Sequence, residues 1–237
     1  MTTLLVAHGT RNPHGVRMIG DLAEAVTGLL AEPVRVAFVD VLGPTPAEVL
    51  GTLRDEPTVV VPALLSSGVH VRVDVPRYVA ESGHRRVTVS QPLGPSPELA
   101  RAMMCRLVDA GWRRDDHVVL VAAGTRDPRG RGELRYTAAA LSAMAGHRVS
   151  IAFAAPSPDR FGYPSIPDAV AQARRSGARR VALASYLLAD GLFQGRLRDA
   201  GADVVAAPLG LHPAVIRLVC RRRREAALTP AMAAALS

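Results

Sequence analysis

The sequence predicts an α/β protein made of two tandem, doubly wound βα domains, each with a mainly parallel four-stranded sheet flanked by helices. Three observations predict it. The chain repeats itself, its apolar runs are short and continuous, and helical patterns fill the spaces between them. Residues 4–15 read LLVAHGTRNPHG and residues 119–130 read VLVAAGTRDPRG, with eight of twelve positions identical. Four more landmarks follow in the same order. Ala37-Phe38 matches Ala152-Phe153, and GPTPAEV at 43–49 resembles YPSIPDAV at 163–170. ALLSSGVH at 63–70 matches YLLADGLF at 186–193, and PLGPSPELAR at 92–101 matches PLGLHPAVIR at 208–217. Landmarks in one fixed order, roughly 115 to 125 residues apart, are the mark of an internal duplication. The junction falls at GWRRDD, residues 111–116, and gives domains 1–114 and 115–237.

In the first copy the strands are expected at Leu4–Ala7, Val34–Val39, Val59–Pro62 and Val87–Val89. In the second they are expected at Val118–Ala122, Val149–Phe153, Arg180–Ala184 and Val204–Ala206. These runs lack clean alternation, as strands do when both faces of a parallel sheet are covered. Helices fit Gly15–Leu30, Pro46–Leu53, Asp74–Ser82 and Pro97–Ala110. Ligands of such folds bind beyond the carboxyl ends of the strands. The loops that follow strands are therefore where chemistry is sought, and the two lobes are expected to face each other across a cleft, a usual place for a small molecule.

Composition narrows the function classes. The 237 residues carry a net charge of +8, and all 29 basic residues are arginine. Such charge is often a nucleic-acid signal, but aromatics make up only 4% and do not interleave with the arginines. No nucleic-acid partner is expected. Arginine also pairs bidentately with carboxylates, so a small polyanion suits the same charge. No apolar run reaches the roughly 18 residues of a membrane span. MTTLLVAHGT has no basic stretch ahead of its apolar run, so no signal peptide, no membrane partner and a cytoplasmic protein are expected. Cys105 and Cys220 form no CxxC pair and read as buried thiols.

The first strand runs into His8, the second into Asp40, and the third leads through Ser66-Ser67-Gly68 to His70, which opens a helix. Two imidazoles and a carboxylate at one sheet edge suit Fe²⁺, Co²⁺ or Ni²⁺. Imidazole also titrates near neutrality and can take a proton from a bound ligand. In the second copy His8 is replaced by Ala123 and His70 by Phe193, while the GTR turn survives. The histidines are therefore dispensable for the fold, which points to function. Thr10 and Arg11, with the matching Arg126, lie at a turn before a helix and offer an anion site. Ser66, Ser67 and Gly68 form a small loop that can close on a flat ligand.

These segments resemble the class II chelatases of the CbiX/SirB type. The resemblance rests on HGTRNP after the first strand, FVDVLGPTPAE after the second and PALLSSGVHVRVDVP after the third, and covers most of the chain. It implies a sirohydrochlorin cobaltochelatase or ferrochelatase of cobalamin or siroheme biosynthesis. His8, Asp40 and His70 would be catalytic, with His8 and His70 as metal ligands. Where the family usually has glutamate, this chain has Asp40, one methylene shorter. The implied partners are a tetrapyrrole and a divalent metal, with no cofactor beyond that substrate ion. Arg11, Arg72, Arg126 and Arg196 would pair with the carboxylates of the ring. A two-lobed monomer is expected. One alternative is a non-catalytic carrier of metal or tetrapyrrole. Another is a histidine-phosphatase-like enzyme, although such enzymes place an arginine directly before the histidine and this chain has Ala7.

Overall fold

The computed structural model describes residues 1–53, 56–155 and 162–235, with side chains as far as Leu228. The first copy contains β1 (Thr2–Ala7), α1 (Pro13–Leu30), β2 (Val34–Phe38), α2 (Pro46–Thr52) and β3 (Thr58–Pro62). A π-helical turn at His70–Asp74 then leads into α3 (Val75–Ser82), β4 (Val87–Val89) and α4 (Pro97–Asp109). The second copy repeats the series as β5 (His117–Ala122), α5 (Pro128–Ala145), β6 (Ser150–Phe153), α6 (Ile166–Arg175) and β7 (Val181–Tyr186). It ends with α7 (Leu192–Arg198), β8 (Val204–Val205) and α8 (Pro213–Ala235). Every expected strand is present, displaced by at most two residues at an end.

Each sheet is parallel throughout, in the orders β2-β1-β3-β4 and β6-β5-β7-β8. The order reverses direction between β1 and β3, and again between β5 and β7. A crevice opens beyond the strand ends at such a switch point. All residues of β1, β3 and β7 are buried, which explains their unbroken apolar runs. Helix starts follow local chemistry. Asn12 and Asp127, each followed by proline, accept the backbone N–H groups of His14 and Arg129 and so cap α1 and α5. Thr45 and Glu48 form a capping box at the start of α2.

The compact units do not follow the sequence repeats. One contains Met1–Gly94 with Val215–Ser237, and the other contains Pro95–Ala214. The closing helix of each repeat therefore belongs to the unit that holds the other repeat's sheet. In the first unit Arg223 of α8 grips Glu32 through both nitrogens of its fork, and Thr3 donates to the same carboxylate at 2.7 Å. In the second unit α4 packs on α5 and β7. There Leu99, Ala102, Met103 and Leu107 are fully buried, and Arg106 donates to the Leu209 carbonyl. These α4 side chains stand at i, i+3, i+4 and i+8, the pattern of one helix face. Among the described residues no helix is long and apolar enough to cross a membrane.

His117 opens β5 with its ring 2.8 Å from the Ser150 hydroxyl. Burial, and then the neighbouring His147, lower its pKa from the ordinary histidine value. The unfolded chain thus takes up this proton more readily than the folded one, so folding stability is lost as pH falls below about 6.5. His117→Gln, which keeps a polar partner for Ser150, is expected to flatten the loss of stability between about pH 7 and pH 5. Urea unfolding at several pH values measures it; equal slopes for the two proteins would show that His117 is not the group responsible.

Candidate metal centre

His8 follows β1 directly, so the strand end fixes its position at the switch point. The ladder continues beyond the strands. Val39 N–H donates to the Ala7 carbonyl at 3.0 Å, and Asp40 N–H to the His8 carbonyl at 3.1 Å. This places Asp40 beside His8. The chain turns at Gly9, where φ is +98°, a value that favours glycine. A Cβ on Gly9 would lie 2.2 Å from the Asp40 carbonyl oxygen. Gly9 is therefore required by the close passage of the two strand ends. Val41 follows with φ +70°, unusual for a β-branched residue and costing about 1–3 kcal/mol. Its N–H donates to Asp40 Oδ1 at 2.7 Å, which orients the carboxylate.

His70 comes from the loop after β3. The rings of His8 and His70 meet edge to face, with centroids 4.8 Å apart and planes at 88°. One ligand atom from each of His8, Asp40 and His70 lies within 4.8 Å of the others. His8 and Asp40 are exposed and His70 is half-buried, so the cluster opens to solvent. Two imidazoles and a carboxylate crowd together here without burial, a donor set that suits a borderline divalent cation.

Asp74 was not legible as a site residue from sequence. His70 Nδ1 lies 2.7 Å from Asp74 Oδ2. A carboxylate only accepts, so this contact puts the proton on Nδ1 and leaves Nε2 free to donate its lone pair. Arg77 donates to the other oxygen of Asp74 at 3.2 Å and stacks 4.9 Å over the ring of Tyr78. Tyr78 in turn donates to the Val39 carbonyl at 3.3 Å, beside Asp40. The i, i+4 spacing of His70 and Asp74 was the available signal.

The other expected site residues divide. Thr10 accepts the Asn12 N–H at 3.1 Å, and Thr125 accepts the Asp127 N–H at 3.1 Å. The threonine thus shapes the turn in both copies. Arg11 and Arg72 are exposed in the same compact unit as the cluster. Ser66, Ser67 and Gly68 form the half-buried connection to the π-helical turn, and the Gly68 carbonyl accepts the N–H groups of Val71 and Arg72 at 3.1 Å. Arg126 and Arg196 belong to the other compact unit. There Gly124 (φ +134°) packs against the Ala155 carbonyl, and Ala155 N–H donates to the Ala123 carbonyl at 2.8 Å. The backbone of the metal-type edge is thus reproduced, with Ala123, Ala155, Phe193 and Leu197 where the first copy has His8, Asp40, His70 and Asp74.

Two parallel α/β units, one of them gathering two imidazoles and a carboxylate at its switch point, define a tandem α/β protein with a metal-competent edge. The CbiX family model matches residues 2–110 and 117–226, and the chain belongs to that family. A sirohydrochlorin cobaltochelatase of Methanothermobacter thermautotrophicus is 28% identical over 129 residues, which is 45% of this chain and 90% of that relative. Bacillus subtilis SirB with Fe³⁺ superposes with a TM-score of 0.78 at 22% identity, over 97% of each chain. A CbiX described as the terminal enzyme for siroheme biosynthesis in denitrifying bacteria gives a TM-score of 0.70 at 23% identity, over 95% of this chain and 99% of that one.

Gly9 and Gly124 permit a paired test. Gly9→Ala is expected to push the Asp40 segment away and weaken Co²⁺ binding at least about 10-fold. Gly124→Ala meets the Ala155 carbonyl at 2.5 Å and is expected to lower stability while leaving Co²⁺ binding intact. Calorimetric titration with Co²⁺ and thermal unfolding separate the two effects; equal Co²⁺ affinity in Gly9→Ala would refute the role given to that turn.

Proposed function

We propose that this chain is a sirohydrochlorin chelatase, a lyase-type enzyme that inserts Co²⁺ or Fe²⁺, with Ni²⁺ also accommodated, into sirohydrochlorin or a related tetrapyrrole. The observation that carries the reading is the convergence of His8, Asp40 and His70 within 4.8 Å at one strand edge, set against their replacement in the second copy. Family membership and the activity named for the archaeal relative support the substrate. The cobaltochelatase name and the Fe³⁺ in the SirB structure support cobalt and iron as the metals. The domains 1–114 and 115–237 are then the units of descent, the first active and the second without ligands.

In this mechanism His8 and His70 receive the divalent ion through nitrogen lone pairs, and Asp40 contributes an oxygen. Insertion exchanges one M²⁺ for two pyrrole N–H protons. As each pyrrole nitrogen turns its lone pair to the metal, its proton passes to an imidazole released from the ion or to Asp40, and then to water. The open position of the cluster lets these protons leave. Asp74 holds His70 with Nε2 toward the metal, so the ring need not reorient during transfer. Arg11, Arg72, Arg126 and Arg196 are proposed partners for substrate carboxylates, with Ser66, Ser67 and Gly68 as the loop against the ring. No cofactor beyond the substrate metal is required, the site acts in the cytoplasm, and one chain is sufficient.

Absorbance assays of metal insertion test the reading. His8→Ala and His70→Ala are each expected to lower turnover by at least about 100-fold. Wild-type rates in His8→Ala would sink the assignment. A burst of one equivalent with no further product would instead identify a carrier. Asp74→Ala is expected to weaken metal affinity about 10–100-fold, with Asp74→Asn in between because it keeps an acceptor. Unchanged affinity in both Asp74 variants would remove Asp74 from the metal centre.

A further inference from the structure

Asp40 and His70 reach the metal-type edge from different crossovers, and one link joins them outside the sheet. The peptide unit between Val39 and Asp40 is gripped from both sides. Its N–H donates to the His8 carbonyl at 3.1 Å, and its carbonyl accepts the Tyr78 hydroxyl at 3.3 Å. The two groups of a trans peptide point in opposite directions, so this pair fixes the plane from which the Asp40 side chain leaves. Arg77 lies with its guanidinium 4.9 Å from the centroid of the Tyr78 ring and donates to Asp74 Oδ1 at 3.2 Å. The other oxygen of Asp74 faces His70 Nδ1 at 2.7 Å. Contacts therefore run without a break from Asp40 through Tyr78, Arg77 and Asp74 to His70. The edge-to-face meeting of His70 with His8 closes them into a loop.

Stability does not account for this link. The Arg77 side chain is 53% exposed and also faces Glu81 at 3.8 Å. Exposed ion pairs of that kind add little to folding. Tyr78 packs against the apolar cluster of Leu4, Val6, Val39 and Leu50, a contact that needs its ring and not its hydroxyl. In the second copy the matching carbonyl, that of Ala154, is also taken, by Arg196 at 2.7 Å. The clamp on the strand end thus serves both copies, and what the second lacks is the connection onward to a carboxylate. His70 and Pro92 stand 22 positions apart, and the matching Phe193 and Pro208 only 15. The extra residues lengthen the helix, since α3 runs to Ser82 whereas α7 stops at Arg198. Arg77 and Tyr78 lie on this extension, which occurs only in the copy that carries the ligands.

We propose that Arg77 and Tyr78 are positioning residues that couple the two ligand arms, so that Asp40 and His70 are held at one separation before the ion arrives. The inference rests on the reading of His8, Asp40 and His70 as a metal centre, and not on the identity of the tetrapyrrole. Neither residue belongs to the ligand set. Tyr78 sets the peptide that carries Asp40, and Arg77 sets the carboxylate that orients His70. The stack of guanidinium on ring makes a displacement of one arm a displacement of the other. A ligand set whose side chains are already ordered binds more tightly than one that must be gathered around the ion.

Titration of the full chain with Co²⁺ in the absence of tetrapyrrole, followed by the ligand-field absorption of the bound ion, tests it. Tyr78→Phe keeps the ring and loses the hydroxyl, and is expected to weaken Co²⁺ binding about 5–10-fold and to change the ligand-field spectrum. Arg77→Met keeps an apolar stem over the ring, and is expected to weaken binding about 3–10-fold, with Arg77→Lys recovering part of the loss. The double variant is expected to lose less than the product of the two single losses, because one broken link already separates the arms. Losses that multiply would show two independent contacts and overturn the coupling. In an Asp40→Ala background Tyr78→Phe is expected to cost no more than about 2-fold. A merely structural Tyr78 would give the same loss in both backgrounds with an unchanged spectrum, and that result would overturn its role. Wild-type affinity and spectrum in both single variants would overturn the proposal and leave the metal centre standing. A wild type that takes up no Co²⁺ would overturn the metal centre, and the proposal with it. Co²⁺ binding that depends on Arg77 and Tyr78 in a protein that never turns over would overturn insertion alone.

Discussion

The candidate centre depends on the close passage of two strand ends. Gly9 turns directly under the Asp40 carbonyl, with no space for even a methyl group between them. That passage follows from the parallel pairing of β1 with β2, which continues past the strands through Val39 and Asp40. It sets the imidazole of His8 and the carboxylate of Asp40 at one height above the sheet. The pairing of β1 with β3 brings the His70 loop to the same edge. Three side chains distant in sequence thus meet because three parallel strands end together at a switch point.

Rigidity at this edge comes from hydrogen bonds more than from burial. His8 and Asp40 are exposed, so apolar packing does not hold their side chains. Asp40 is held by the N–H of Val41, at the cost of a left-handed backbone at a β-branched residue. His70 is held by Asp74, itself shared with Arg77. Such outer contacts fix ring orientation and tautomer before any ion arrives. The second copy has neither this outer contact nor the imidazole it holds. Phe193 and Leu197 replace His70 and Asp74, and Leu197 is fully buried in the core of its unit. A carboxylate kept there without its imidazole would be a buried charge with no partner, which is costly.

The duplication separates scaffold from chemistry with unusual clarity. The glycine turn, the threonine that accepts the second N–H beyond it, the capped helix and the parallel register occur in both copies. Those features need only backbone geometry and a local cap, so they persist whether or not a ligand set is present. The exchange of closing helices adds a second consequence. Each compact unit takes in a helix from the other repeat, so the packing units and the sequence repeats have different boundaries.

Much of this was legible in the linear sequence. Repeats, continuous apolar runs and proline-marked helix starts are local signals, and they determined the α/β class, the eight strands and the places of His8, Asp40 and His70. Asp74 was missed because its role depends on a π-helical turn that aims His70 back at it. The units were not legible because repeat boundaries record descent, whereas compact units record which apolar faces cover one another. The resemblance makes Arg196 one of four candidate partners for ring carboxylates, but does not fix its position. Its fixed position needs the Ala154 carbonyl and the Phe193 ring, which come from two different loops. Sequence determined what the strand ends carry, because each strand and its following residue are contiguous. Only the tertiary structure decided which of those residues touch, because contact between strand ends depends on register and crossover, not on neighbours in the chain.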